Sequence, residues 1–255
     1  MESANLVEIF SSFQGEGPHV GCSTLFVRFG ECDLRCRWCD SPHTWKPATY
    51  CRIEDRAAEE RVVQNPVRLA EITAASAALG VERHRFASLT GGEPLLQPDA
   101  VRAVAEALRA RGPRILLETH GLATAALERT IDVIDVVSMD WKLTSEVARA
   151  GAPRGAREEF HAEHAAFVRV ALRAPEVYVK VVVTPATRDD ELDALARHLA
   201  AVDPAVPVVI QPVTPRGPVK ESPGAAQLLA WQARLEQSLR DVRVIPQTHP
   251  GLGVR

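Results

Sequence analysis

LFVRFGECDLRCRWCDS, residues 25–41, is an apolar run leading into three thiols, Cys32, Cys36 and Cys39, spaced Cys-x3-Cys-x2-Cys with an aromatic residue, Trp38, before the last. Three cysteines are one short of a closed four-coordinate site, so a metal centre built on them keeps one open position. Taken alone the triad favours an iron-sulfur cluster, with a structural zinc completed by His43 as the alternative reading of a short Cys/His run. Cys22 and Cys51 are left over from the cluster and read as bystanders.

The run before the thiols is one of a series. VEIF near the start, LFVRFG at 25–30, HRFASLT at 84–90, RILLET at 114–119, VIDVVSM at 133–139, VYVKVVVT at 177–184, VPVVIQP at 206–212 and VRVIPQ at 242–247 all read as strands. Helical-period segments separate them. Asn65 followed by Pro66 predicts a helix from there to about Leu79, and Pro98–Arg111 continues the pattern. Thr187 with Asp190 has the spacing of a capping box, and Ser222-Pro223 opens an amphipathic helix through Leu239. Strand and helix in alternation predict parallel βα units, hence a (β/α) barrel or an open parallel sheet.

Polar and glycine-rich signals fall at one end of these strands. The cysteines follow the first, Gly91-Gly92-Glu93-Pro94 the second, Glu118-Thr119-His120-Gly121 the third and Ser138-Met139-Asp140-Trp141-Lys142 the fourth. Lys180 and Thr184, Gln211 with Pro212, and Pro246-Gln247-Thr248-His249 complete the set on later strands. Carboxyl ends are where parallel sheets and barrels place their active sites, so one mouth is expected to receive them all.

Composition is consistent with a small-molecule enzyme. The chain has 255 residues, 46% hydrophobic and 25% charged, with net charge -3, so no basic field invites nucleic acid or an anionic membrane. No run approaches a membrane span and the N-terminus lacks an apolar h-region, which predicts a cytoplasmic protein. Individually the motifs stay open. Gly91-Gly92 is also a plain turn signal. Arg28, on the side of its strand that carries Phe26, is either a solvated strand-end residue or an anion anchor. Lys180, inside VYVKVVV, needs a partner if the strand is buried.

Together these residues resemble the radical S-adenosylmethionine superfamily, through Cys32-x3-Cys36-x2-Cys39 and Gly91-Gly92-Glu93. QGEG at 14–17, FVR at 26–28, CDS at 39–41, TGGEPLLQ, LETHG and the terminal IPQTH resemble, more narrowly, its 7-carboxy-7-deazaguanine synthase family. The resemblance implies a partial or modified TIM-like (β/α) barrel of about six parallel strands with an N-terminal extension, one domain over 1–255, with extra length near 43–64 and 145–160. It implies a 4Fe-4S cluster on the three thiols, S-adenosylmethionine on the fourth iron, and magnesium. The implied reaction takes hydrogen from C6 of 6-carboxy-5,6,7,8-tetrahydropterin and contracts the ring with loss of ammonia to 7-carboxy-7-deazaguanine, a queuosine-type precursor.

Position by position, the resemblance places Trp38 and Asp40 at the adenine, and Gly92 and Glu93 at the methionine end. Ser138, Asp140, Lys142 and Lys180 fall on the rest of the cofactor. Gln14, Gly15, Glu16, Arg28, Thr90 and Glu118 fall on the substrate, with the Arg255 carboxylate folding over it and Glu118 also placed at the chemistry. Ser41 is implied as the magnesium ligand. A homodimer and an electron donor such as flavodoxin or ferredoxin are implied as well. Two departures stand out: His120 replaces an expected Asn, and Ser-Met-Asp-Trp-Lys replaces a shorter Ser-Pro-Lys. Two other classes share part of the pattern. An activase making a radical on a partner protein has the triad and Gly-Gly-Glu but no use for QGEG or Arg28, and a zinc-stapled binding domain needs only the cysteines.

Overall fold

The computed structural model describes residues 3–54, 59–153 and 158–254. In chain order the N-terminal part contains β1 (Ser3–Ala4), β2 (Leu6–Phe13), β3 (Ser23–Phe29), β4 (Leu34–Cys36), β5 (Tyr50–Glu54), β6 (Glu60–Gln64), β7 (Val67–Arg68) and α1 (Leu69–Ala78). There follow β8 (Phe86–Gly91), α2 (Pro98–Arg109), β9 (Arg114–Thr119), α3 (Thr124–Glu128), β10 (Val136–Asp140), β11 (Val147–Arg149) and α4 (His161–Ala171). The chain closes with β12 (Glu176–Val183), α5 (Asp189–Ala200), β13 (Val208–Pro212), α6 (Ala225–Leu235), β14 (Val242–Val244) and α7 (His249–Leu252).

One large sheet carries the site. Its order is β14-β13-β12-β10-β9-β8-β3-β2-β5-β6, and every neighbouring pair from β14 to β3 is parallel. The parallel part thus has seven strands where about six were expected, and β14 and β6 remain as open edges, so the barrel does not close. β2 runs antiparallel to β3, and β5 and β6 extend that side.

A period of two sorts the side chains of each strand onto two faces. Ile115, Leu117, Val137, Met139, Val179 and Val181 lie on the helix-covered face, in the main core. On the concave face, Phe86, Leu116, Val136, Tyr178 and Val209 make a second small core near the amino ends of the strands. Above that layer the same parity places Glu118 level with Ser138 and Asp140 level with Lys180. Parity therefore turns the concave surface from apolar to charged toward the carboxyl ends.

The segment 14–22 fills part of the concavity as a tongue. It closes on itself through Gly21 N–H to Gln14 O at 2.8 Å and Gln14 N–H to Cys22 O at 2.8 Å. At its tip His19 packs at a tilt against Phe86, with ring centroids 4.6 Å apart, and meets Glu176 at 2.7 Å. Gly17 lies against the Tyr178 ring at positive φ, where any Cβ would stand 2.9 Å from the ring and its hydroxyl.

The expected extra stretches build local structure. β5 and β6 belong to 43–64 and lengthen the sheet. β11, from 145–160, pairs antiparallel with β4 and sets Val147 opposite Cys36, so that stretch clamps the cysteine loop. Helix boundaries differ from expectation for local reasons. Asn65 does not cap α1; its carboxamide pairs with both backbone groups of Leu6, and Val67–Arg68 pairs with β1, so the helix starts at Leu69. Thr187 Oγ1 accepts from Thr184 N–H instead of capping α5, whose first turn carries Asp189, Asp190 and Glu191 at the positive end of the helix dipole. The last long helix is shorter than expected, Ala225–Leu235.

Candidate active site

A cavity of about 660 Å³ opens at the carboxyl ends of the strands, within the size range of small-ligand sites. Cys32, Cys36 and Cys39 share its wall with Trp38. The loop holding them is fixed by its backbone: Arg37 N–H donates to Glu146 O, Ala150 N–H to Asp33 O and Cys39 N–H to Cys36 O. Arg35 turns away from the cavity, donating to the carbonyls of Cys32 and Leu34 while stacking on Trp45. Burial pushes the Cys32 thiol up to about 11 and the Cys36 thiol up to about 12, and raises Cys39 as well. Free thiols here stay protonated at neutral pH, and a cation is what makes them thiolates.

The thiols as placed do not gather around a single tetrahedral ion. Tetrahedral zinc, with Zn–S bonds of about 2.3 Å, gathers its sulfurs within about 4 Å of one another. Among the described residues the three Sγ atoms, with or without His43, do not come together within 4.8 Å, whereas Glu16, Asp40 and His249 do. Two buried polar atoms of the cavity wall, Trp38 Nε1 and Gln211 Oε1, have no hydrogen-bond partner among the described residues. A buried donor and acceptor left open in one cavity match a polar ligand between them.

Facing the thiols is a row of alternating charges. Lys142 Nζ donates to Asp140 Oδ2 at 2.8 Å and lies 4.7 Å from the centre of the Trp38 ring. Lys180 Nζ reaches Asp140 Oδ1 at 3.1 Å and bonds Glu16. Gln247 Nε2 then joins Glu16 Oε1 at 2.5 Å and Asp40 Oδ2 at 3.3 Å. Burial alone would lower the Lys180 pKa, but the Asp140, Glu16 and Glu118 carboxylates overcome it and hold the ammonium well above its ordinary value. Asp140 is likewise kept below its ordinary value, because Lys142 and Lys180 outweigh its burial. The partner that Lys180 was expected to need is therefore Glu16 together with Asp140.

On the substrate-assigned side, Gln14, Gly15, Glu16, Arg28, Thr90 and Glu118 all border the same cavity. Glu118 Oε1 accepts from Ser88 Oγ at 2.6 Å and from Gln14 Nε2 at 3.1 Å. Burial, reinforced by the nearby Glu16 charge, raises its pKa. Ser41 reaches the cavity edge and donates to Asp40 Oδ1 at 2.9 Å.

Two expected ligand contacts fall elsewhere. Glu93 is fully buried and does not border the cavity; its carboxylate accepts from Leu95 N–H, Thr119 Oγ1–H and His120 N–H. It braces the loops after β8 and β9, and Gly91 and Gly92 line the cavity in its place. Ser138 is buried below the cavity and hydrogen-bonds Tyr178. Arg255 lies outside the described residues.

Other wall residues had no assigned role. His120 Nε2 lies 2.8 Å from Asp33 Oδ1 in the cysteine loop. Leu122 N–H donates to His120 Nδ1, which leaves the proton on Nε2, facing Asp33. His249 packs so closely on Gly15 that any Cβ there would stand 2.3 Å from the imidazole, and Thr248 N–H donates to Gly15 O at 2.9 Å. The C-terminal segment thus straps the QGEG turn; its motif pointed to the mouth, but nothing local pointed to Gly15. Cys22 and Cys51 do not line the cavity.

Comparison with known proteins agrees with this geometry. The family model of the radical SAM superfamily matches residues 27–199. The 7-carboxy-7-deazaguanine synthase of Geobacter sulfurreducens is 35% identical, the match covering 98% of this chain and 97% of the relative. The synthase of Methanothermobacter thermautotrophicus is 34% identical over 99% and 98%. Among solved structures, QueE from Escherichia coli matches with a TM-score of 0.62 at 22% identity, covering 97% of this chain and 94% of that one. A radical SAM methyltransferase from Sphaerobacter thermophilus matches with a TM-score of 0.58 at 18% identity, over 91% and 67%, and supports the fold alone. With the cysteine triad and residues of the QGEG turn and of FVR in β3 around one cavity, and full-length relatives at this level of identity, the chain belongs to the radical SAM superfamily and, within it, to the 7-carboxy-7-deazaguanine synthase family.

Proposed function

We propose that this chain is a single-domain enzyme that converts 6-carboxy-5,6,7,8-tetrahydropterin to 7-carboxy-7-deazaguanine with loss of ammonia, a step toward queuosine-type deazapurines. The observation that carries the reading is the meeting, in one cavity, of the three thiols with Gln14, Glu16, Arg28, Thr90 and Glu118. Cys32, Cys36 and Cys39 hold a 4Fe-4S cluster, and the missing fourth thiol leaves the position at which S-adenosylmethionine binds. When bound, these groups supply the one-electron chemistry that begins the ring contraction.

The protein's own part is binding, orientation and exclusion of water. Trp38 and Asp40 border the adenosyl end, Gly92 offers close backbone approach at the methionine end, and Asp140, Lys142 and Lys180 form a charge-balanced wall beside them. Gln14, Glu16 and Glu118 offer acceptors to the donor-rich amino-pyrimidinone edge of the pterin, and the raised pKa of Glu118 suits it to hold or pass a proton there. Arg28 takes the 6-carboxylate. Ser41 contributes a hydroxyl to magnesium, which prefers oxygen ligands and keeps several waters. A homodimer, a cytoplasmic location and a low-potential donor such as flavodoxin or ferredoxin belong to the same reading. Among the described residues no helix is long and apolar enough to cross a membrane.

The test is direct. Anaerobically reconstituted protein given the carboxylated pterin, reductant, magnesium and S-adenosylmethionine is expected to yield the deazaguanine, identified by mass. No product from protein with an intact cluster overturns the reading.

A further inference from the structure

The stretch 43–64 does more than widen the sheet. In the β2–β5 register Arg52 lies opposite Glu8, and in the β2–β3 register Glu8 lies opposite Arg28. One carboxylate is thereby shared by two arginines. Glu8 Oε1 accepts from Arg28 Nε at 2.7 Å, and Glu8 Oε2 accepts from Arg52 Nη2 at 3.0 Å. The Glu8 side chain is 6% exposed, Arg28 17% and Arg52 46%.

Of these three residues, Arg28 alone borders the cavity. Its guanidinium lies over the Phe10 ring, 5.7 Å from the centroid, and its Nε–H is taken by Glu8, so the terminal nitrogens are the edge available for a forked contact with an anion. Charge then decides what that edge is worth. Glu8 cancels Arg28, and an incoming carboxylate would meet a neutral ion pair. Asp40, on the same wall, adds a negative charge. Arg52 restores the Arg52–Glu8–Arg28 row to a net charge of about +1, from a position outside the cavity.

We propose that Arg52, supplied by the 43–64 stretch and acting through Glu8, is a specificity-determining and positioning residue that lets Arg28 select a carboxylated substrate. This rests on the reading of Arg28 as carboxylate anchor. It gives β5 a role in recognition, because without that strand Glu8 would neutralise the anchor.

The experiment is equilibrium binding, under anaerobic conditions, of the carboxylated pterin and of its neutral 6-carboxamide analogue to the cluster-loaded protein, with iron content and thermal midpoint confirming that each variant is folded. Arg52 is half-exposed and screened, so Arg52→Gln is expected to weaken the carboxylate ligand by about three- to fivefold at low salt, an effect that shrinks as salt is added. The carboxamide should bind unchanged, and Arg52→Lys should recover most of the loss. Glu8→Gln combined with Arg52→Gln should bind the carboxylate better than Arg52→Gln alone, because the opposing charge is gone; a merely structural role makes the double variant worse. Equal binding of both ligands by Arg52→Gln and by the parent protein, or a double variant weaker than the single, overturns the inference. Arg28→Ala separates the two levels. If it does not discriminate the ligands, the anchor reading itself falls; if it does while Arg52→Gln does not, the role of Arg52 alone falls.

Discussion

His164 Nε2 accepts the backbone N–H of Lys142 at 2.9 Å, and its Nδ1 lies 2.9 Å from Gly121 O. An amide can only donate and a carbonyl only accept, so the ring is one neutral tautomer with its proton on Nδ1. It ties the loop after β9 to the loop after β10 and seats the Lys142 backbone. Trp141 packs on it, with ring centroids 4.9 Å apart, and donates its Nε1–H to His161 Nδ1 at 3.0 Å. The Asp-Trp-Lys form of this loop therefore comes with its own histidine support.

That bond has a pH signature. Burial holds the His164 pKa at about 3, against an ordinary value of 6.5. Below 6.5 the unfolded chain takes up a proton that the native ring refuses, so stability is whole above 6.5 and falls as pH drops toward 3, by up to about 1.4 kcal/mol per pH unit. His164→Gln, which keeps a donor and an acceptor, should flatten this part of the profile. Urea midpoints of both proteins at pH 7, 6 and 5 check it; parallel profiles would remove His164 as the source.

Gly92, just past the end of β8, packs against the backbone that enters the cysteine loop. A Cβ there would stand 2.0 Å from Glu31 O and 3.0 Å from Thr44 O, both backbone atoms, and Glu31 already has φ 73°. Gly92→Ala must push the chain at Cys32, so iron and sulfide per chain should fall by more than half although all three cysteines remain. Full cluster content in this variant would show that the loop yields at little cost.

Much of this was legible in order along the chain. Alternation of Phe26 with Arg28 put both on the cavity face, and a lysine in a buried strand announced a partner for Lys180. The identity of that partner was not legible, because Glu16 lies 164 residues away on a tongue whose path depends on Gly17 fitting against Tyr178. Glu93 illustrates the opposite case. Its motif pointed to a ligand, and nothing local showed that the N–H groups of Leu95 and His120 take up its carboxylate. Asn65 looked like a helix cap until the Leu6 backbone, 59 residues earlier, offered it two hydrogen bonds. Local rules carried the strands; competition from distant backbone groups decided the exceptions.

Lys180→Met isolates the charged wall. The substitution leaves Glu16 and Asp140 facing each other and Glu118 without the ammonium that balances them, and removing one partner of a buried pair costs about 3–5 kcal/mol. Glu118, whose pKa burial and the Glu16 charge already raise, then loses the Lys180 charge that opposed them and binds its proton more readily in the native state than in the unfolded chain. Its pKa rises further on folding, so the deficit should be largest near pH 7 and shrink as pH falls toward 5. Chemical denaturation at the two pH values measures this. A deficit that is constant with pH would mean packing, not charge, is what Lys180 contributes.

Cys36 and Ser41 lie five positions apart in one loop and should fail in different ways. Cys36 is a donor in the thiol triad, flanked by Arg35, which anchors the loop backbone, and Arg37, whose N–H bonds Glu146 O. Cys36→Ala removes one cluster ligand while these backbone bonds stay, so iron content and the visible charge-transfer absorption should be lost in a chain that still unfolds cooperatively. Among the described residues the Ser41 hydroxyl bonds the neighbouring Asp40, and the side chain sits at the cavity edge. Ser41→Ala should keep the cluster and its absorption but weaken the dependence of turnover on magnesium concentration by about tenfold, since a protein oxygen is a small part of a largely hydrated coordination shell. Iron analysis and a magnesium titration of both variants decide the matter; equal loss of iron in the two would mean that Ser41 supports the cluster loop and not the divalent cation.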